Sequence, residues 1–361
     1  MRKNNRAHFP LTHLPIKLYR SYGQSTISLS TATIFIIVVD KLCKNKNQTE
    51  TNPLKFLVER SQTTIYNKYM EKLHHPVLLS EVLAGLQPRP GESYLDLTAG
   101  YGGHAKEILD VTQNYKDSVL VDRDDYAIEY LKQKFKGESL TLIHDDFYSS
   151  MLQLLESGRT FDLMLADFGV SSPQLDMKER GFTFKGEAPL DMRMDRRQKL
   201  TAAQIVNHWS ERELSEIFIK YGEERPGNAK LYARAIVHHR PIKNTGELAE
   251  IIRAKTHGFS KTHPATRIFQ ALRITVNDEL GLIEKSLPLI PKLLNQNGRV
   301  GFITFHSLED RLVKEFLKEA TSLGEESSLR VEIKKPITAG NQELFINPRA
   351  RSAKLRIAVR N

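Results

Sequence analysis

The chain has one cysteine, Cys43, in 361 residues. No disulfide framework and no cysteine-built metal centre can therefore form in the rest of the protein. That scarcity fits a reducing compartment. The 12 histidines occur as His74-His75, His238-His239 and singly, without the spacings of a ligand set, so no metal site is expected. Long apolar runs are also missing. The run from Ile27 to Val39 is thirteen residues including two Ser and two Thr, and Asp40-Lys41 closes it. A bilayer span needs roughly twenty, so no membrane association is expected. Acidic residues are absent before Asp40. Residues 1–69 hold 11 Lys/Arg against 3 Asp/Glu, whereas residues 70–361 hold 42 against 40. The net charge of +10 is thus mostly N-terminal. Such a start reads as an unstructured extension, or as upstream sequence translated ahead of a true start at Met70. A poor signal-peptide h-region and a presequence for an organelle are the alternatives.

The third spaced glycine of the dinucleotide fingerprint is missing too. Asp96-Leu97-Thr98-Ala99-Gly100-Tyr101-Gly102-Gly103-His104 lies between an expected strand at 93–96 and an expected helix at 104–111. Three glycines in four positions allow a sharp turn and close approach of a ligand. Asp96, just before the loop, would repel a pyrophosphate but accept from an ammonium. Some twenty residues on, Val119-Leu120-Val121-Asp122 ends a second apolar strand in a carboxylate suited to ribose hydroxyls. S-adenosylmethionine has an ammonium, a sulfonium and a ribose but no phosphate, and fits better than NAD. The plain alternative is a glycine turn with no ligand.

Strand and helix alternate up to Asp167, which predicts an α/β protein with a doubly wound parallel sheet. From about 173 to 282 the periodic segments are helical, at 202–208, 211–221, 229–239, 245–255 and 264–283. A strand at 298–305 and a helix near 308–319 restore the rhythm, and 330–333 and 355–359 read as closing strands. The plan is therefore an extension (1–69), a first sheet part (70–175), a helical insert that roofs the cleft (176–284), and a second sheet part with a basic tail (285–361).

Asp167-Phe168-Gly169-Val170-Ser171-Ser172-Pro173-Gln174 follows the fourth strand, beside the glycine loop. Enzymes that methylate an exocyclic amine often carry a short acidic or amide turn there. The amino pair of cytosine is delocalised into its ring, so acceptors for both N–H groups help aim the nitrogen at a methyl donor. Asp167 is one such acceptor, with a turn carbonyl as the other. Alternatively it contacts the cofactor, or caps the turn. Arg180-Gly181-Phe182-Thr183-Phe184 and Leu190-Asp191-Met192-Arg193-Met194-Asp195 read either as a base-stacking and phosphate-binding loop, through Arg180 and Arg193, or as an ordinary ion-paired loop. Ser307 with Asp310 reads as a helix cap, with His306 structural or catalytic. Residues 330–360 carry eight Lys/Arg against Glu332 and Glu343. Arg349 and Arg351 would there form a phosphate rail.

The body also resembles a known family, the bacterial 16S rRNA (cytosine-N4)-methyltransferases (RsmH/MraW). The resemblance spans about 75–360 and rests on HPVLLSEV (75–82), DLTAGYGGH (96–104), FGVSSPQLD (168–176), RGFTF (180–184), LDMRMD (190–195), YGEE (221–224), FQALRITVNDEL (269–280), FHSLED (305–310) and NPRARSAKLR (347–356). Phe168, Ala99 and Thr304 stand where the family more often has Leu, Leu and Ser. Residues 1–69 match nothing in it. The resemblance implies a class I S-adenosylmethionine-dependent methyltransferase with a Rossmann-like sheet and a helical substrate-recognition insert. It implies cofactor contacts at Gly102, Gly103, His104, Asp122, Phe147, Asp167 and Gln174. It also implies N4-methylation of a cytidine in the decoding region of small-subunit rRNA. The expected partner is that rRNA, free or in the assembled small ribosomal subunit, with a homodimer left open. The expected location is the cytoplasm, or an organelle if 1–69 is a presequence. Methylation of another amine, such as adenine in DNA, and a silent RNA-binding assembly factor are the competing readings.

Overall fold

The computed structural model describes residues 76–184, 186–256, 263–322 and 326–361. The extension at 1–69, Met70 and His75 of the first motif lie outside the described residues. Helix α1 (Leu79–Leu86) leads into β1 (Tyr94–Asp96), α2 (Gly103–Thr112), β2 (Val119–Asp122), α3 (Asp125–Lys134), β3 (Thr141–His144), α4 (Phe147–Glu156) and β4 (Phe161–Asp167). A short α5 (Ser172–Asp176) precedes five helices, α6 (Ala202–His208), α7 (Glu211–Lys220), α8 (Pro226–His238), α9 (Thr245–Ala254) and α10 (Ala265–Asn277). Then come α11 (Glu279–Ser286), α12 (Ile290–Leu293), β5 (Leu294–Thr304), α13 (Ser307–Ala320), β6 (Leu329–Arg330), α14 (Asn341–Ile346) and β7 (Lys354–Arg360).

The seven strands form one sheet in the order β3-β2-β1-β4-β5-β7-β6. The first five run parallel. The chain winds outward from β1 to β3, then crosses back to β4 and β5. The crevice at this reversal, above the carboxyl ends of β1 and β4, is where such sheets take ligands. β4 is buried on both faces, with Phe161, Leu163, Met164, Leu165 and Ala166 all at 0% exposure, which explains its unbroken apolar run. One face packs on α1, α2 and α3 through residues such as Leu86, Ile108 and Leu131. The other packs on α4, α11 and α13 through Met151, Ile283 and Val313.

The alternation predicts parallel strands throughout, but β7 runs antiparallel to β5, and β6 to β7. Residues 331–353 make no crossover back to the amino ends of the strands. They leave the chain at the carboxyl ends, so β7 must run back, and Glu343 of α14 accepts from the Leu78 N–H ahead of α1. The order, with its reversed seventh strand, is the class I S-adenosylmethionine-dependent methyltransferase arrangement.

The helices between β4 and β5 start at strong local signals. Thr201 with Gln204 and Ser210 with Glu213 form reciprocal capping boxes, and Asn244 caps α9. These helices share a core of their own, which includes Ile205, Phe218, Ile236, Ile252 and Leu272. One continuous helix was expected over 264–283, but Asp278 breaks it at φ 46°. The buried Asn277 fixes the break. Its Oδ1 accepts from the Met194 N–H at 2.8 Å, and its Nδ2 donates to the Met192 and Arg273 carbonyls. Beyond the break α11 turns Ile283 into the sheet-side core, so the core of the inserted helices ends at Val276, short of residue 284. No described helix is long and apolar enough to cross a membrane.

Candidate active site

A cavity of about 360 Å³ opens above the reversal point. Its walls come from the glycine loop, the ends of β2, β4 and β5, the turn after β4, α10 and α11, and the tail. The glycine loop is held from below. Asp122 at the end of β2 accepts from the Gly100 N–H at 2.7 Å and from the Asp124 N–H at 2.8 Å. Thr98 Oγ1 accepts from the Asp167 N–H at 2.6 Å, which ties the loop to the end of β4. Gly102 sits at φ +66°, and a Cβ there would stand 2.8 Å from Leu131. It allows α3 to pack against the loop. It does not line the cavity, whereas Gly100 and Gly103 do.

His104, in the first turn of α2, is 8% exposed and donates from Nε2 to the Val77 carbonyl at 2.9 Å. Its Nδ1 stands 3.9 Å from Asp167 Oδ2. Burial lowers its pKa to about 4, so the ring is neutral at physiological pH and Nδ1 is an acceptor. Phe147 opens α4 and lines the cavity, with its ring 5.7 Å from that of Phe168. Gln174 lines it too, but its side chain is engaged. Its Oε1 accepts from the Ser171 N–H and its Nε2 donates to Asp124.

The carboxyl groups around the cavity report its electrostatics. Burial raises Asp122 to about 6 and Asp96 to about 7. Burial, then the charges of Asp96 and Glu309, push Asp167 well above the carboxylate range. The cavity lining carries six carboxyl groups against three arginines, so it is short of positive charge. A cationic ligand would relieve this, and a pyrophosphate would worsen it. That observation fits a sulfonium and an ammonium, and it supports S-adenosylmethionine over a dinucleotide.

The expected arginines divide. Arg180 is no surface residue. It is 4% exposed, and its guanidinium pairs with Asp124 at 2.9 Å and donates to the Arg193 and Met194 carbonyls. With all those donors engaged inside, it has none to offer a phosphate. Phe182 is buried, and Phe184 stacks on His263 at 4.7 Å and meets Phe269 edge-on. The loop read as a base-stacking surface is thus largely core. Arg193 grips Asp191 and donates to the Arg196 and Gln198 carbonyls, which closes its own loop. Arg349 lines the cavity mouth and pairs with Asp176 at 2.6 Å, and Arg351 is exposed. Lys354 and Arg356 of the same tail are bound to Asp310.

Several residues at the cavity carried no role in the sequence reading. Glu309 is 0% exposed, and its Oε2 accepts from the Phe305 and His306 N–H groups. Burial alone would raise its pKa, but His306, Arg273 and the Phe305 N–H outweigh burial and hold it below the usual carboxylate range. Arg273 of α10 grips Glu279 at 2.8 Å through both nitrogens and stands 3.9 Å from Glu309. Glu279, His306 and Glu309 lie close enough together to hold a metal ion, but the Arg273 guanidinium already faces both carboxylates. The α13 cap is His306 with Glu309, where Ser307 with Asp310 was expected. Ser307 is drawn away, because its hydroxyl donates to Glu223. All of these residues lie in two of the sequence motifs, at 269–280 and 305–310. The motifs mark the segments without revealing which side chains turn inward.

The chain matches the MraW methylase family over residues 71–361. It belongs to that family. A protein of Nostoc sp. named ribosomal RNA small subunit methyltransferase H is 47% identical over 290 residues, which is 79% of this chain and 92% of that relative. A protein of the same name from Cyanothece sp. is 48% identical over 80% of this chain and 95% of its own. One from Acidobacterium capsulatum is 44% identical over 80% and 99%. The MraW methylase match excludes residues 1–70, the part that carries most of the positive charge.

Proposed function

We propose that this MraW methylase family member transfers a methyl group from S-adenosylmethionine to N4 of a cytidine in the decoding region of small-subunit rRNA. Bound there, S-adenosylmethionine supplies an electrophilic methyl on a sulfonium. Asp122 would hold its ribose hydroxyls, since the carboxylate already faces the cavity with lone pairs left beyond its two backbone bonds. Phe147 and Phe168 would supply the apolar wall for adenine. Gly103, His104 and Gln174 would shape the pocket around it, and Gly102 would act by letting the loop close. Asp167 would contact the cofactor or the amine. The five helices after β4 would select the substrate, and Arg349 and Arg351 would meet its phosphates. The partner is rRNA or the assembled small subunit, in the cytoplasm, or in an organelle if residues 1–69 direct the chain there.

The observation that carries this reading is the buried, cation-deficient cavity at the end of β1, β2 and β4. Its chemistry suits methyl donation more than hydride or phosphoryl transfer. Little is asked of the protein beyond positioning and exclusion of water. A target base inside a folded subunit would be splayed into the cleft. The test is methyl transfer from labelled S-adenosylmethionine to unmodified small subunits, with nucleosides identified after digestion, for the full chain and for the chain from Met70 onward. Labelled N4-methylcytidine is expected from both. Label in another nucleoside refutes the base assignment. Transfer by the full chain alone gives residues 1–69 a role.

A further inference from the structure

Among the residues that line the cavity, two carry a buried side-chain oxygen with no hydrogen-bond partner among the described residues: Asp167 Oδ1 and Glu309 Oε1. They come from the carboxyl ends of adjacent strands, β4 and β5, the second by way of the first turn of α13. Gly169 bridges them. It follows Asp167 by two residues, and a Cβ built on it would lie 3.8 Å from Glu309 Oε1. Buried carboxyl oxygens normally have donors, and leaving one without a donor is costly. Two orphans in one cavity mark places where a ligand brings donors. An exocyclic amine brings two N–H groups.

We propose that Glu309 is the second acceptor of the target amine, opposite Asp167, and the group that takes its proton. The inference rests on the amine-methylation reading above. The nitrogen pair forms the new N–C bond while the C–S pair stays on sulfur. The sulfonium charge passes to nitrogen, and one N–H proton then moves to Glu309 Oε1, leaving a neutral methylamino group. The surroundings keep Glu309 ionised, so its carboxylate is ready to accept. Glu309 is faced by Arg273 at 3.9 Å and by His306, whose Nε2 is 2.9 Å from Oε1 but out of line for a hydrogen bond. Glu279 is held off by its own pair with Arg273. Oε2 is taken by the cap, which leaves Oε1, beside His306 and Arg273, for a further donor. His306 is partly exposed and offers the proton a way to solvent.

The test is Glu309→Gln in the full chain. Its amide oxygen can still accept the cap, while the charge is lost. Transfer to small subunits is expected to fall about 100-fold or more, the scale of a lost proton acceptor. Melting temperature should stay within a few degrees of wild type, and S-adenosylmethionine affinity within about twofold. Preference of the S-adenosylhomocysteine-loaded protein for cytidine 5′-monophosphate over uridine 5′-monophosphate should fall about tenfold. Unchanged transfer overturns the proposal. So does lost transfer with the nucleotide preference intact, because that is a structural effect. If the Gln variant does not fold, Glu309→Asp keeps the charge beside Arg273 and withdraws the oxygen by one methylene. Its full activity would overturn the proposal, and its loss with normal cofactor affinity would support it. Absence of transfer to any amine by the wild type would instead refute the function reading.

Discussion

Replacing Asp96 by Asn probes the acid cluster beneath the glycine loop. Asp96 is 2% exposed, and burial lifts its pKa from the ordinary 3.8 to about 7, against the Tyr94 hydroxyl and the Thr98 N–H that donate to it. The folded chain therefore keeps this proton at pH values where the unfolded chain has lost it. Between roughly pH 4 and 7 the native state binds the more protons, so the stability due to this group falls as pH rises. It is fully present below about 4 and gone above about 7. The whole interval corresponds to about 4 kcal/mol, at 1.36 kcal/mol per pH step. An effective dielectric nearer 20 than 4 brings the expected figure to about 2 kcal/mol. Asn keeps an oxygen for the Thr98 N–H and has no proton to lose. Urea unfolding of both proteins without cofactor, at pH 5 and pH 8, reads that contribution together with the relief of Asp167, whose pKa the Asp96 charge raises. The two pH values span about three-fifths of that interval, so the variant should gain about 1 kcal/mol on wild type between them. A difference that does not move with pH would refute the burial argument.

Asp122→Ala should weaken S-adenosylmethionine binding about 100-fold, from two charge-assisted hydrogen bonds worth about 3 kcal/mol together, and leave RNA binding unchanged. Calorimetry with the cofactor and filter binding with rRNA read the two separately, and unaltered cofactor affinity would sink the ribose assignment. Arg180→Met should cost about 3–5 kcal/mol in urea unfolding, because Asp124 is left charged and buried without its partner. A loss under 1 kcal/mol would mean the pair carries no such weight. Arg351→Ala should lower the slope of rRNA affinity against salt concentration by about 1, as expected for one phosphate contact. Arg193→Ala, with its donors already engaged, should leave that slope alone.

What was legible in the sequence, and what was not, follows from the range of the interactions. Asp96, the glycine loop, Asp122 and Asp167 announce themselves because each sits at the end of a short apolar run, and strand ends in a doubly wound sheet converge. The helical insert announces itself through caps and periodicity, which are also local. The miss at Arg180 comes from pairing across a long stretch of chain, whereas Arg193 is taken up by Asp191, Arg196 and Gln198 within its own loop. Arg180 and Arg193 have the composition of a phosphate-binding loop. Yet Arg180 finds Asp124 fifty-six positions back, and nothing near residue 180 encodes that. The turn at 122–124 shows how much such pairing decides. Three consecutive charged residues face three different partners: Asp122 the glycine loop and the cavity, Arg123 the Asn277 carbonyl at the end of α10, and Asp124 both Arg180 and Gln174. The turn proposed to hold the ribose is thus the same turn that anchors the inserted helices and the segment after β4. Local patterning can place such a turn at the mouth of the cleft. Only the folded chain shows that one turn joins the cofactor side of the cavity to the inserted helices, so that loosening the Arg180 pair must be felt on both sides.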